Sequence, residues 1–184
     1  MNRRRHLGRR EQRVRDLVND IYDEYDHSSR KWFQICAAMD TIGDTALVLD
    51  SDVWRRRGTS FPFRYLRLYG LLQAIHAQED SITYLWLSVA NKKRSHSDKS
   101  AWTLLRVLRN DLTAHSTHNA AAISRMTLRG SAPTVLRWPA SRRSHEFASV
   151  PFDDLVVSYT REAASELDTL AAYLGSKLVE GRGG

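Results

Sequence analysis

A chain of 184 residues is long enough for one domain with a core of its own, so neither disulfides nor a structural metal is needed for folding. The formal net charge of +7 comes mainly from arginine, which binds phosphate through two parallel hydrogen bonds; a polyanion is therefore one expected partner, and a merely solvated basic surface is the other explanation. Because the single Cys36 cannot form an internal disulfide and no run of about 18 apolar residues exists, we expect a cytoplasmic protein with no signal peptide or membrane span.

The amino-terminal residues are strongly basic. Residues 1–10 contain five arginines, with Gly8 as a helix breaker, and we expect them to form a flexible arm. A single domain at residues 11–180 and a tail at 181–184 follow. The first predicted helix has an apolar side formed by Val14, Leu17, Val18, Ile21, Tyr22 and Tyr25.

Two more helices are predicted from apolar residues at helical spacing. Ser28 or Ser29 caps the second helix, and a basic loop that contains Arg55, Arg56 and Arg57 separates it from the third. The apolar row of the second helix is Ile35, Met39, Ile42, Ala46, Leu49 and Val53. The row of the third is Leu68, Leu71, Leu72, Ile75, Ile82, Leu85, Trp86 and Val89.

Polar residues interrupt the apolar row of the third helix in its middle, at Gln78 and Glu79. Interior polar groups are usually hydrogen-bonded to their neighbours, so we favour a structural role for both. The alternative is a polar pocket that faces the helix carrying Arg109.

The fourth predicted helix combines an apolar row with polar residues at its end. Ser97 or Asp98 is expected to cap it. Its apolar row is Leu104, Leu105, Leu108 and Leu112, and His115 continues that row. Arg109 lies beside this row. A cation and an imidazole on a packed face need partners or water, which indicates a cleft, a subunit interface or a satisfied core network.

Two short strands are predicted after the fourth helix. They cover residues 123–129 and 134–138 around the turn at 130–133, and form a hairpin insertion at about 121–140. A basic flap follows, with Arg142, Arg143 and His145.

The last predicted helix opens at Pro151 with Asp153 or Asp154. Its apolar row is Val156, Tyr159, Ala163, Leu167, Leu170, Leu174 and Leu178. The predicted fold class is therefore all-α: a bundle of about five helices with a small β-hairpin insertion before the last helix.

The end of the fourth helix resembles the Arg-x(4–6)-His motif of HEPN domains (higher eukaryotes and prokaryotes nucleotide-binding). Arg109 is followed by Asn110, a residue type usual at that place in the family, and His115 comes after five intervening residues. The segment Tyr69 to Asp80 is similar to the helix that packs beside the motif in some members. The resemblance covers roughly residues 11–120 and the last helix.

This resemblance implies a specific function. Many HEPN proteins are metal-independent endoribonucleases, toxins or phage-defence effectors among them, and the Arg and His of two protomers meet in one cleft. Other members have lost catalysis and serve as binding or dimerisation modules. For this chain it implies catalytic roles for Arg109, Asn110 and His115.

Helix geometry independently favours a dimer. Six residues of α-helix separate Arg109 from His115 by about 9 Å along the axis and roughly 120° around it. A single regular helix therefore cannot easily direct both side chains to one phosphate. A two-fold partner, or an unwound helix end after Leu112, would bring them together.

The expected chemistry is attack of an RNA 2′-hydroxyl on the adjacent phosphorus. His115 acts as acid or base, Arg109 neutralises charge on the phosphoryl oxygens, and Asn110 orients the phosphate or the histidine. Supporting polar residues are Gln78, Glu79, Asp80 and Asp111. Weaker candidates for RNA contact are Arg55, Arg56, Arg57, Arg142 and Arg143. We expect no metal and no cofactor, and DNA should be a poor substrate.

Other interpretations of these residues stay open. Arg109 could form an ion pair with Asp111 or Glu79, and His115 could interact with the helix dipole. The pair His115 and His118 has a spacing used in metal sites but lacks further ligands. The chain could also be a non-catalytic module that dimerises or holds a partner such as an antitoxin, or a basic nucleic-acid binder whose affinity falls steeply with salt.

Overall fold

The computed structural model describes residues 7–22, 29–51, 60–114, 121–123, 134–137 and 146–182, and these residues are mostly helical. The five α-helices are α1 (Leu7–Tyr22), α2 (Arg30–Leu49), α3 (Phe61–Ala90), α4 (Ala101–Arg109) and α5 (Phe152–Arg182). A π-helical segment, Asn110–Ala114, continues α4. The three strands are β1 (Ala121–Ile123), β2 (Thr134–Arg137) and β3 (Glu146–Ser149). The prediction of a helical bundle is confirmed.

Helix α1 begins earlier than the sequence suggested. The backbone N–H groups of Leu7 and Gly8 each donate to Asp50 Oδ2 at 3.1 Å, and the Leu7 side chain is fully buried. A carboxylate at this end satisfies N–H groups that have no partner within the helix. The predicted boundary of the basic arm at residue 10 was therefore wrong, because residues 7–10 belong to α1. The prediction that Gly8 breaks the helix was also wrong. Residues 1–6 lie outside the described part.

The apolar row predicted for α2 is confirmed. Residues Ile35, Met39, Ile42, Ala46 and Leu49 are all buried, whereas Val53 lies outside the described residues. The predicted serine cap is also present, because the Ser29 side chain accepts a hydrogen bond from the Trp32 N–H at 3.2 Å. This bond satisfies one N–H of the first turn.

The rows of α3 and α5 are buried as predicted except at one end of each, where Val89 and Leu178 are only partly covered. In α1, Val14 and Val18 are buried and Leu17 is half-buried.

Two predictions for α4 were wrong. Leu104 is 42% exposed, and the buried row instead runs through Ala101, Leu105 and Leu108 to Leu112. The helix is capped by Ser100, whose side chain accepts from the Thr103 N–H at 3.1 Å, and not by Ser97 or Asp98.

The strands form an antiparallel sheet in the order β1-β2-β3. Ala121 pairs with Arg137, and Thr134 pairs with Ser149. The second predicted strand corresponds to β2, but the first was wrong: β1 ends at Ile123, where the predicted strand begins, and Ile123 pairs with Val135. The predicted turn at residues 130–133 lies outside the described part. The third strand was not predicted: its residues lie between the basic flap and the last helix and had been assigned to no element. Arg142 and Arg143 of that flap lie outside the described part.

The chain forms two compact units, and each contains part of α3 and part of α5. The first unit comprises residues 1–52, 77–95 and 160–184; the second comprises 53–76 and 96–159. The first unit is built on α1 and α2, with a core that includes Val18, Met39, Leu85, Leu167 and Leu170. The second is built on α4 and the strands, with a core that includes Leu72, Trp102, Leu105, Val135 and Tyr159.

Among the helices of the described part, none combines the length and the apolar character that crossing a bilayer requires.

Candidate functional site

The candidate site lies where α4 changes into the π-helical segment. Arg109 is the last residue of α4 and Asn110 is the first residue of the π-helical segment. Because a π-turn is wider than an α-turn, the 100° step assumed for a regular helix does not hold after Arg109. Single π-turns inside helices occur frequently at functional sites. The Arg109–Asn110 part of the motif therefore coincides with a local distortion of the helix.

The side chains of Asn110 and Gln73 both accept hydrogen bonds from the Arg109 guanidinium. Its Nη1 donates to Asn110 Oδ1 at 3.1 Å, and its Nη2 donates to Gln73 Oε1 at 3.4 Å. The carboxamides of Asn110 and Gln73 accept from different nitrogens, so together they restrict the plane of the guanidinium. Arg109 and Asn110 are half-buried and Gln73 is exposed, which places the group at the surface of the second unit.

Sequence reasoning missed Gln73 as a member of the site. It lies on the exposed side of α3, where a glutamine is ordinary and carries no signal. Only the packing of two helices distant in sequence reveals its contact with Arg109.

The remaining members of the predicted motif are described only in part. Asp111 is half-buried in the π-helical segment, while His115 and His118 lie outside the described residues. The weaker RNA-contact candidates Arg55 to Arg57, Arg142 and Arg143 lie outside as well. Within the described part, no three His, Cys, Asp or Glu side chains come together as a metal site would require.

The polar pair on α3 belongs to the first unit. Gln78 is fully buried and donates to Thr45 Oγ1 at 3.0 Å and to the Ile42 carbonyl at 3.4 Å. These bonds support the structural role favoured for Gln78. Glu79 is also fully buried, with 0% exposure.

Asp80 has a different environment from its two neighbours. It is exposed and lines a groove of about 390 Å³ in the first unit, together with Thr41 and Tyr84. The Tyr84 hydroxyl donates to Gln34 Oε1 across this groove at 2.7 Å.

A column of aromatic rings on α3 is the second feature that sequence reasoning missed. Phe61 and Tyr65 meet edge to face with centroids 4.9 Å apart, and Tyr65 stacks on Tyr69 at 5.6 Å. These residues are spaced by four, and Gln73 is the next position in the same series. Burial raises the pKa of Tyr69, and Tyr65 adds to the rise, so the hydroxyl stays protonated at neutral pH. We call these three rings the aromatic column.

The excess positive charge of the chain belongs entirely to the second unit. Its residues include thirteen arginines and lysines and five aspartates and glutamates, a net charge of +8 with neutral histidines. The first unit carries the balance, −1. The unit that contains Arg109, Gln73 and the aromatic column is thus the part suited to a polyanion.

Comparison of the chain with protein-family models, curated proteins and solved structures found no match. A functional assignment therefore depends on the residues and the chemistry of this site.

Proposed function

We propose that this chain is a metal-independent endoribonuclease of the HEPN type, and that it acts as a toxin or a phage-defence effector. The observation that carries the proposal is the Arg109 guanidinium, which Asn110 and Gln73 hold at the surface of the strongly basic unit. A guanidinium kept in a fixed orientation can bind the charge that develops on a phosphoryl group without reorganising.

The reaction is an internal transfer at phosphorus. The 2′-oxygen forms a bond to the adjacent phosphorus, the bond from phosphorus to the 5′-oxygen breaks, and a proton passes from the attacking to the leaving side. His115 transfers the proton, because imidazole changes protonation near neutral pH; a placed group of this kind contributes about 10²–10⁴ in rate. Arg109 neutralises the phosphoryl oxygens, and Asn110 orients the guanidinium through its amide oxygen.

The proposed enzyme is a homodimer whose interface includes the exposed side of α3 in the second unit. Phe63 is 44% exposed and Leu66 is 71% exposed. Gly70 and Gln73 continue the same side of the helix, and a Cβ at Gly70 would meet no atom within 4 Å. Neighbouring apolar side chains left uncovered in a monomer are typical of an interaction surface. A two-fold axis there would bring two copies of Arg109 towards each other.

The test is cleavage of RNA by the purified protein in the presence of a chelator. His115→Ala and Arg109→Ala should each reduce the rate by about 10²–10⁴. Arg161→Ala is the matched control, because Arg161 is an exposed arginine of the first unit, and it should cleave at the wild-type rate. Undiminished cleavage by His115→Ala would overturn the proposal.

A second candidate function is a catalytically inactive module that dimerises or holds a protein partner such as an antitoxin. The exposed side chains of Leu104 and Val107 on α4, 42% and 44% exposed, favour it because they add apolar surface without involving Arg109 chemically. Under this function the wild-type protein would not cleave RNA, and His115→Ala would leave dimerisation and partner binding unchanged.

A further inference from the structure

We infer that the aromatic column of Phe61, Tyr65 and Tyr69 is a stacking site for the bases of single-stranded RNA next to the phosphate held by Arg109. That the bound strand is a substrate rests on the proposed function, whereas stacking of its bases on the rings does not require cleavage.

The first argument is the shape of the column. The rings recur every four residues along one side of α3, so the column from Phe61 to Tyr69 extends about 12 Å along the helix. All three residues are half-buried, so each is fixed by packing while part of it still faces solvent. Because Tyr65 and Tyr69 already stack on each other, an unpaired base would extend this stack at an outer ring face, as bases do on aromatic platforms.

The second argument is the direction in which the column runs. The position after Tyr69 in the four-residue series is Gln73, and Gln73 accepts a hydrogen bond from Arg109 Nη2 at 3.4 Å. The rings therefore lead to the guanidinium. A strand whose phosphate is bound by Arg109 would have its neighbouring bases beside Tyr69, where the protonated hydroxyl can also donate a hydrogen bond.

The third argument is charge. The column lies on the same helix as Arg64 and Arg67, and cationic side chains combined with aromatic rings are the usual basis of single-strand binding. A duplex does not suit the column, because its bases are already stacked and paired. Stacking is also tolerant of base identity, so we expect little sequence preference from this site.

The experiment measures the affinity of the full chain for a fluorescent single-stranded oligonucleotide with 2′-O-methyl groups, which cannot be cleaved by 2′-hydroxyl attack. Tyr65→Leu and Tyr69→Leu keep apolar bulk but remove the ring, and each should weaken binding about 5- to 150-fold. Tyr65→Phe should bind within about 2-fold of wild type, because stacking needs the ring and not the hydroxyl.

Two controls separate stacking from other effects. Phe33→Leu removes an exposed ring, 64% exposed, from α2 of the first unit, and should leave the affinity unchanged. The dependence of affinity on salt gives the second control. The Leu variants should keep the wild-type slope of log affinity against log salt, whereas Arg109→Ala should reduce it by about one phosphate contact.

A crosslinking experiment uses only the wild-type protein, so its result does not depend on whether the variants fold. A single strand containing 4-thiouridine should crosslink on irradiation to the peptide that contains Tyr65 and Tyr69. Wild-type affinity of both Leu variants, or crosslinks confined to other peptides, would overturn the inference. If the Leu variants lose binding but the wild type does not cleave RNA, the stacking site stands and the nuclease proposal fails. If the wild type cleaves RNA and the Leu variants bind normally, the nuclease proposal stands and the stacking site fails.

Discussion

Gln73 and Arg109 lie 36 residues apart in the sequence, yet Gln73 Oε1 accepts a hydrogen bond from Arg109 Nη2 at 3.4 Å. This bond connects the exposed side of α3 to the junction between α4 and the π-helical segment. It gives Arg109 a second fixed acceptor besides its neighbour Asn110.

Gln73→Ala should reduce RNA cleavage by about 5- to 10-fold, because loss of one acceptor lets the guanidinium rotate away from the phosphate. The effect should be smaller than that of Arg109→Ala, since the guanidinium itself remains in the Gln73 variant. Steady-state cleavage assays of both variants check this. Gln12→Ala, at an exposed glutamine of α1, is the control. Full activity of Gln73→Ala would show that the bond does not orient Arg109.

Leu66→Glu should dissociate the proposed homodimer. Leu66 is 71% exposed in the monomer, so the substitution should leave folding intact while a charge in the interface raises the dimer dissociation constant by at least about 10-fold. Light scattering across a concentration series measures this. Leu47→Glu replaces an equally exposed leucine of the first unit, 74% exposed, and should stay dimeric. A wild-type monomer that still cuts RNA would refute the dimer.

Expression of the wild-type chain should impair growth of a bacterial host, because an endoribonuclease acts on cellular RNA. Cells that produce Arg109→Ala or His115→Ala at the same level should grow normally. Growth curves with quantified protein levels test this prediction. Equal tolerance of all three chains would contradict the toxin proposal.

The sequence predicted the buried rows of α2, α3 and α5 because burial repeats with the helical period. Leu104 was misassigned because the small Ala101 occupies the buried position, and an alanine gives a weak apolar signal. The start of α1 at Leu7 depends on Asp50, which is 43 residues away, so no local pattern indicates it.

Much of the site could not be predicted from the sequence, because it depends on contacts between residues that are far apart in the chain. Arg109 and Asn110 follow from a short motif, but the bond to Gln73 depends on how α3 packs beside α4. The sequence offered an unwound helix end after Leu112 only as an alternative, and it did not predict a π-helical segment that begins at Asn110. The rings of Phe61, Tyr65 and Tyr69 did show their four-residue spacing in the sequence, and that spacing was the one signal that could have been used.

Asp50→Ala should lower the free energy of unfolding by about 1 kcal/mol, because the N–H groups of Leu7 and Gly8 lose their acceptor. Asp50→Asn keeps an acceptor oxygen and should lower the free energy of unfolding by less. Urea unfolding measures both, with Asp44→Ala at an exposed aspartate of α2 as the control. Identical stability of Asp50→Ala and wild type would exclude a capping role.

Glu11 should make the stability of the protein depend on pH. Burial raises the pKa of this carboxyl, and the hydrogen bond from Arg15 at 2.8 Å only partly opposes the rise. A folded-state pKa above the unfolded value means that the contribution of Glu11 is fully stabilising below the unfolded pKa and is lost as pH rises through the folded pKa. Relative to Glu11→Gln, the wild type should therefore become more stable as pH falls through the raised folded-state pKa towards the ordinary carboxyl value of 4.5.

Urea unfolding of wild type and Glu11→Gln at several pH values gives the difference in their free energies of unfolding directly. A difference that stays constant, or that changes in the opposite direction, would contradict the assignment of burial as the dominant effect on Glu11.

The most direct test of the central claim compares two strands of one sequence, one RNA and one with deoxyribose throughout, incubated with the purified protein in chelator. If Arg109 and His115 promote attack by the 2′-hydroxyl, only the RNA strand is cut, and Arg109→Ala cuts it about 10²–10⁴-fold more slowly. Cutting of the deoxyribose strand, or equal cutting of RNA by Arg109→Ala, would contradict the proposed enzyme.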